Sequence, residues 1–231
     1  MALTGNILLD AFSPALLRDV LEGSRKCYFE PGRVLVRRDS VPAHLVFLTS
    51  GLASLVITME DGGTSEVGLV GFESMTGVFT LLHSTISPTQ CVVQIAGNGI
   101  QVSRQRLAAL FQASAEFRDS ILRLAHCQMS ISAQLSACNL RHGAEGRFAR
   151  WLLSASDRTG SATVNITQEA LGDMLSVRRA TVSVVTAQLY SQNLIRKDRG
   201  SIVILDRQRL LSVACECYEI CRGITYPTAH A

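Results

Sequence analysis

Two adjacent arginines, Arg178 and Arg179, begin a stretch whose other members are small or β-branched, VRRATVSVVT. A guanidinium group carries its N–H donors in a planar fork, which fits the oxygen pair of a phosphate or the O6 and N7 atoms of a guanine. Small side chains beside such a fork allow the backbone to approach a large ligand closely. The pattern predicts a surface that binds a polyanion.

The net positive charge of the chain lies entirely in its second part. Residues 1–149 hold 12 Lys and Arg against 12 Asp and Glu, whereas residues 150–231 hold 10 basic and 7 acidic residues. Residues 176–200 alone contain five basic residues and one acid. A neutral N-terminal part and a basic C-terminal part predict two domains, of which only the second binds a polyanion.

The residues around the arginine pair have the layout of a winged helix-turn-helix. Thr167 is predicted to cap a first short helix, Gly172 to let the two helices approach, and Ser176 to cap the second helix. The segment NLIRKDRGSIVIL then alternates as strand, basic turn and strand. Since the first residues of the second helix meet base edges in the major groove, we predict contact with double-stranded DNA. The predicted contact residues are Thr167, Arg178, Arg179, Ala180, Thr181, Ser183, Arg196, Lys197 and Arg199.

The first half of the chain has a different sequence pattern. From about 27 to 103, short β-rich runs are separated by turn signals such as Pro31-Gly32 and Gly97-Asn98-Gly99, which predict a small antiparallel barrel or roll. From 113 to 140, residues that are apolar except for Gln128 recur at alternating steps of 4 and 3, which predicts a two-helix dimer seam; a helix packed on its own roll is the alternative. The seam residues are Phe117, Ile121, Leu124, Gln128, Ile131, Leu135 and Cys138.

These observations predict an α+β protein with an N-terminal antiparallel β-roll of the cupin or jelly-roll type, a long dimerisation helix and a C-terminal winged helix-turn-helix. The predicted domains are residues 1–112, 113–143 and 144–231. The first twenty residues lack the basic start of a signal peptide, and no apolar run is long enough to span a bilayer, so we expect a cytoplasmic protein with no membrane partner. Neither a Walker A loop nor a G-x-S-x-G motif is present, and we expect no enzymatic activity.

Seven cysteines include a C-x-C-x3-C group formed by Cys215, Cys217 and Cys221, while Cys138 and His142 lie four residues apart on the predicted helix. Zinc takes four ligands, and no histidine lies beside the C-x-C-x3-C group. We therefore predict that the thiols pack as small apolar side chains, that His142 makes a capping or interhelix hydrogen bond, and that the protein holds no metal and no cofactor. A redox- or metal-responsive regulator that switches through its cysteines is the alternative.

Nearly the whole chain resembles the Crp/Fnr family of bacterial transcription regulators. This resemblance implies a homodimer on a near-palindromic operator, with recognition helices in successive major grooves about 34–36 Å apart. It also implies contact with RNA polymerase if the protein is an activator. The segments that carry it are PGRVLVRRDSVPAHLVFLTSGLASLVITMEDG, residues 113–140, GRFARWLL, ITQEALGDMLSVRRATVSVVTAQL and, as in one branch of the family, RGSIVILDRQRLLSVACECYEICR.

Two departures from the family pattern concern its effectors. Members that bind cyclic AMP carry a Gly-Glu pair and, further on, an Arg-Ser or Arg-Thr pair that holds the cyclic phosphate. Here no Arg or Lys lies between Arg38 and Arg104, so we predict that cyclic AMP is not the effector. Only Cys27 lies near the amino terminus, which argues against an iron–sulfur cluster. The corresponding candidate effector pocket consists of Gly71, Glu73, Ser74, Thr89 and Gln90. A cyclic-nucleotide-binding regulatory module without DNA binding is a further alternative.

Overall fold

The structure is a computed structural model that describes residues 4–82 and 86–226. The chain forms two compact units. The first consists of Met1–Ile57 and Leu69–Met129, and the second of Thr58–Gly68 and Ser130–Ala231. The tip of one hairpin, residues 58–68, thus belongs with the carboxy-terminal part of the chain. Among the described residues, no helix is both long and apolar enough to cross a membrane.

Within residues 4–82 and 86–226 the strands form three antiparallel sheets. Their orders are β1-β7-β3, β2-β6-β4-β5 and β8-β10-β9. The first two sheets confirm the predicted N-terminal antiparallel β-domain, and the third is the predicted wing. The strands are β1 (Arg25–Phe29), β2 (Val34–Val36), β3 (His44–Leu48), β4 (Leu52–Thr58), β5 (Thr64–Val70), β6 (Gln90–Ile95), β7 (Gly97–Ser103), β8 (Thr163–Val164), β9 (Ile195–Asp198) and β10 (Ser201–Ile204).

The helices confirm the α+β class, with one long helix in the middle of the chain. They are α1 (Ile7–Asp10), α2 (Pro14–Leu21), α3 (Arg104–Ala113), α4 (Ala115–Arg141), α5 (Ala144–Thr159), α6 (Gln168–Leu175), α7 (Arg179–Ser191), α8 (Arg207–Val213) and α9 (Cys217–Thr225), with a 3₁₀ turn at Val78–Leu81.

The Gly97-Asn98-Gly99 segment, which the sequence predicts to be a turn, is the beginning of β7. Gly97 is required there because a Cβ atom would lie 2.2 Å from the carbonyl oxygen of Ser50. The turn prediction for this segment is therefore wrong. Glycine marks a close approach between two backbones in this strand.

The core of the first unit lies between its strands and α2, α3 and the first turns of α4. Leu45 and Phe47 of β3 are completely buried against residues such as Phe12, and Phe12 stacks at a tilt on Phe117 with ring centroids 5.8 Å apart. The buried Asn6 side chain donates hydrogen bonds to the carbonyl oxygens of Leu48 (2.8 Å) and Ser74 (2.9 Å). It therefore satisfies backbone acceptors that would otherwise lose water.

In the second unit α5 is the central helix. Its Phe148, Trp151 and Leu152 side chains have no exposed surface. The α8–α9 segment packs on α5, where the Tyr218 hydroxyl and the Arg207 guanidinium both donate hydrogen bonds to the Asp157 carboxylate (2.7 and 2.6 Å). Helices α6 and α7 and strand β8 each contact this buried helix.

Candidate nucleic-acid interface

Helix α7 has one buried and one exposed face. Val182, Val185 and Leu189 are buried, at the 3- and 4-residue spacing of one helix face. The buried hydroxyl of Thr186 donates to the carbonyl oxygen of Val182 at 2.7 Å, so that no polar group is left unpaired on this side. The opposite face is free for a ligand.

The turn before α7 is made by residues whose roles differ in part from the prediction. Thr167 caps α6 as predicted, because its side-chain oxygen accepts a hydrogen bond from the backbone N–H of Ala170 at 3.1 Å. Ser176 does not cap α7. It ends α6 in the left-handed conformation (φ 51°), and Arg178 occupies the N-cap position of α7 without a side-chain capping bond. The first amide groups of a helix have no acceptor within the helix, so the first turn of α7 can bind a phosphate.

Close contact between the two helices depends on Gly172. A Cβ atom at this position would lie 3.1 Å from the carbonyl oxygen of Val177 and 3.5 Å from Cγ2 of Val182. The Val177 N–H in turn donates to the Gly172 carbonyl oxygen at 3.0 Å. The sequence prediction that a small residue is needed here agrees with these distances.

Three of the predicted contact residues line one concave surface. Thr167 at the start of α6, Arg179 at the start of α7 and Lys197 on β9 border the same cleft, together with Gln168 and the wing residue Gly200. A second concavity continues along α7 past Ser183 and shares Gln168 and Lys197 with the first. Elements distant in sequence thus form one surface, on which the basic side chains of Arg179 and Lys197 lie beside the acidic ones of Glu169 and Asp198.

The remaining predicted residues surround this surface. Arg178, Ala180 and Ser183 are exposed and Thr181 is half-buried. Arg199 lies in the two-residue turn between β9 and β10, which Gly200 closes with φ 77°.

Arg196 differs from its basic neighbours because it is paired within the wing. Its guanidinium binds both carboxylate oxygens of Asp198, with an Nη2–Oδ2 distance of 3.1 Å. Hydrogen bonding to Asp198 raises the pKa of Arg196. Lys197 and Arg199 are therefore the wing residues better suited to phosphate contact.

Sequence reasoning missed two residues of this surface. Gln168 donates a hydrogen bond to Thr186 (3.4 Å) and accepts one from Ser183 (3.4 Å), so its amide is oriented at the surface of α7. Tyr190 is 57% exposed and borders the second concavity. Continuing the exposed spacing of α7 from Ser183 to Ala187 and Tyr190 would have identified the tyrosine.

Two parts of the chain match known domain families. Residues 26–114 match the model of the cyclic nucleotide-binding domain, and residues 146–213 match that of the Crp-like helix-turn-helix domain. Both occur in this order on a chain with the fold described above. The chain is a Crp/Fnr-type transcriptional regulator.

Solved structures with the same fold include members of the Crp/Fnr family. A protein from Eubacterium rectale assigned to that family is 16% identical, with 91% of this chain and 99% of that chain covered and a TM-score of 0.70. FixK2 from Bradyrhizobium japonicum is 17% identical over 83% and 98% of the two chains, also with a TM-score of 0.70. The CRP-family regulator TTHB099 from Thermus thermophilus is 21% identical over 81% and 96%, with a TM-score of 0.68. A search among curated proteins finds no match.

The candidate effector residues of this Crp/Fnr-type regulator lie in two segments. After β5, the Gly71 N–H donates to the Glu73 carboxylate (3.3 Å), and the backbone N–H of Ser74 donates to the carbonyl oxygen of Gly71 (3.2 Å). Thr89 and Gln90 lie at the start of β6, where the Thr89 carbonyl oxygen accepts a hydrogen bond from Ser87 (2.7 Å).

The buried Ser74 hydroxyl accepts a hydrogen bond from the amide of Gln128 on α4 (3.3 Å). A candidate effector residue and the long helix of the regulator are therefore in direct contact within the first unit.

The predicted seam on α4 is covered largely by the chain itself. Phe117 and Ile121 have no exposed surface within the first unit, and Leu135 and Cys138 are buried in the second. The other seam residues are half-buried, namely Leu124, Gln128 and Ile131. Phe117 and Ile121 are therefore packed within their own chain, and the two-helix seam as a whole stays a prediction. The alternative of a helix packed on its own domain describes Phe117 and Ile121 correctly.

Proposed function

We propose that the regulator acts as a homodimer that binds a near-palindromic operator in double-stranded DNA, in the bacterial cytoplasm. The observation that carries this proposal is the shared cleft bordered by Thr167, Arg179 and Lys197. In a winged helix-turn-helix, residues at the start of the second helix read base edges, while the wing binds the flanking phosphates. Arg179 is the base-reading residue, and Lys197 and Arg199 bind the backbone.

Each of the other predicted contacts has a role in this arrangement. Arg178 binds a base or phosphate at the N-cap of α7, and the Thr167 hydroxyl donates to a phosphate while its oxygen caps α6. Ala180, Thr181 and Ser183 let the helix lie deep in the groove, and Arg196 supports the wing through Asp198.

Many members of the family that this chain resembles carry a glutamate at the position of Ala180. The preferred operator therefore differs at the base that such a glutamate would contact.

The dimer is proposed to form through an exposed stripe of α4. Along this stripe, successive steps of 4, 3, 4, 3 and 4 residues generate the 3.5-residue repeat of a two-helix seam. Leu122, Met129 and Leu140 expose 48%, 61% and 86% of their surfaces, although they are large apolar side chains. The exposed α4 stripe consists of Leu122, His126, Met129, Ala133, Ser136 and Leu140.

The N-terminal domain is proposed to bind an effector other than cyclic AMP. A cyclic phosphate needs a cationic partner, and the sequence from residue 39 to 103 contains neither Arg nor Lys. The signal is transmitted through α4, which contacts Ser74, by changing how the two recognition helices are set. Such coupling requires the effector to bind the two arrangements with different affinities. As an activator, the regulator would also contact RNA polymerase.

The proposal is tested by selecting duplexes from a random DNA pool with the purified protein and no added ligand. Enrichment of a palindrome whose half-sites are about one helical turn apart supports a dimer that binds a specific DNA sequence. Affinity for that duplex should fall steeply with salt, because binding releases counterions from the phosphates. Failure to enrich any sequence, both without ligand and in the presence of cell extract, would contradict the proposal.

A further inference from the structure

Four side chains that can bind a metal converge in the second unit. Cys138 and His142 come from the end of α4, and Cys215 and Cys217 come from the segment between α8 and the first turn of α9. The ligand atoms of these four residues all lie within 4.8 Å of one another. The two halves of the cluster are more than 70 residues apart in sequence, yet they present three thiols and one imidazole to a common point.

Two distances between ligand atoms of the cluster are close to those of a tetrahedral site. The sulfur atoms of Cys138 and Cys215 are 3.6 Å apart, and the Cys217 sulfur lies 3.6 Å from Nδ1 of His142. In a regular tetrahedron with Zn–S of about 2.3 Å and Zn–N of about 2.0 Å, sulfurs are separated by about 3.8 Å and sulfur from nitrogen by about 3.5 Å. A zinc ion therefore fits with only small movements of the side chains.

The groups around the cluster are those that orient metal ligands. Since Nδ1 of His142 faces the thiols, Nε2 is left to bind the Glu216 carboxylate, and it lies 3.1 Å from that group. A carboxylate that holds the second nitrogen of a histidine is typical of zinc sites. The Gln134 amide donates to the Cys217 sulfur at 3.0 Å, which is a bond that stabilises a thiolate.

The charge of the surroundings also favours an anionic centre. Arg147 and Arg150 on α5 are 6% and 4% exposed, and the Nε atom of each is buried without a hydrogen-bond acceptor. Both arginines interact electrostatically with Cys138. Three thiolates and one divalent cation carry a net charge of −1, which offsets a buried guanidinium.

We propose that Cys138, His142, Cys215 and Cys217 bind one zinc ion in a closed, four-ligand site. All four positions are filled by protein, so the ion has a structural rather than a catalytic role. It ties the end of α4 to the α8–α9 segment within the second unit. On binding, the three thiols release their protons to solvent, with no change of oxidation state. The sequence prediction of no metal considered the two halves of this cluster separately.

Metal content measured on the full-length protein is the first test. Protein purified under reducing conditions without chelator should contain about one zinc per chain by mass spectrometry of the element. Single substitutions Cys138→Ser, His142→Ala, Cys215→Ser and Cys217→Ser should each lower that content. Cys221→Ser is the matched control, because Cys221 is a buried thiol on the same helix that is not part of the cluster, and it should retain the zinc.

X-ray absorption on the wild-type protein keeps the test independent of whether the variants fold. Three sulfur neighbours at about 2.3 Å and one nitrogen at about 2.0–2.1 Å are expected around the metal. The proposal is overturned if reduced wild-type protein neither contains zinc nor takes it up from added Zn²⁺. It is also overturned if the metal has no sulfur neighbours, or if Cys138 and Cys215 are recovered as a disulfide from protein kept reduced.

Discussion

The indole Nε1 of Trp151 donates a hydrogen bond of 3.0 Å to Oε2 of Glu66, a residue 85 positions away in the chain. Both side chains are buried in the second unit. Glu66 lies on β5 and Trp151 at the centre of α5, so this bond attaches the hairpin tip to the helix on which the DNA-binding elements are built. Trp151 is also the one tryptophan of the chain, and its fluorescence therefore reports on this contact.

Replacing Glu66 by alanine should destabilise the second unit by about 1–3 kcal/mol, because the buried indole N–H loses this acceptor. Urea unfolding followed by Trp151 fluorescence measures the change. Glu66→Gln keeps an oxygen acceptor and serves as the control, with a smaller loss expected. Equal unfolding free energies for Glu66→Ala and the wild type would show that the bond contributes nothing.

Arg179→Ala should weaken binding to the selected operator by about 5- to 150-fold, which corresponds to about 1–3 kcal/mol for the loss of a bidentate contact to guanine. It should also relax base preference at one position in each half-site. The measurement is a titration of the operator and of its single-base variants. Unchanged binding would mean that α7 does not present Arg179 to the bases.

Arg199→Ala provides the contrast to this variant. Arg199 is proposed to contact a phosphate from the wing turn. Its replacement should therefore lower the affinity for all duplexes about equally and reduce the salt slope of binding by about one. A change in base preference on replacing Arg199 would contradict its assignment to the backbone. The two arginines can thus be separated by the kind of loss and not only by its size.

Met129→Glu should convert the dimer to monomers. An unpaired carboxylate in an apolar seam costs several kcal/mol, so the dissociation constant should rise by about 100-fold or more. Analytical ultracentrifugation measures the change. Met59→Glu is a matched control, because Met59 and Met129 expose the same 61% of their surfaces and Met59 lies outside α4. Equal dissociation constants for the two variants would exclude the exposed α4 stripe as the dimer seam.

The buried thiol of Cys91 should make the N-terminal domain sensitive to alkaline pH. Burial in β6 raises the pKa of this thiol from 9.0 to about 12. Because the folded-state pKa is the higher one, its contribution to stability is complete below pH 9.0 and is lost as the pH rises towards 12. The midpoint temperature of thermal unfolding, measured by circular dichroism, should fall more steeply over this pH range in the wild type than in Cys91→Ala. Parallel curves would contradict the role of Cys91.

Local patterns in the sequence were sufficient for the elements that make the interface. The Thr167 cap, the place of Gly172 between two helices and the strand-turn-strand of the wing each depend on residues close together in the chain. Such features follow from backbone propensity and short-range spacing, and the structure agrees with them. The Ser176 prediction was wrong because a capping side chain and a left-handed helix end occupy nearly the same sequence position.

The α4 helix shows where sequence reasoning reached its limit. A 3.5-residue repeat identifies apolar faces of a helix, but it does not state which face its own chain covers. Phe117 and Ile121 satisfy the repeat and are buried by the first unit, whereas Met129 satisfies a neighbouring repeat and is exposed. Only packing between distant segments decides between the two faces.

By itself, therefore, the sequence determined the family, the order of the elements and the basic residues at the start of α7 and in the wing, because these depend on local spacing and charge. The tertiary structure decided which residues meet across long separations. It placed Trp151 on Glu66 and brought Cys138 and His142 to Cys215 and Cys217. These pairings arise when the hairpin tip, α4, α5 and the α8–α9 segment pack together in the second unit, and no pattern within any one of those segments encodes them.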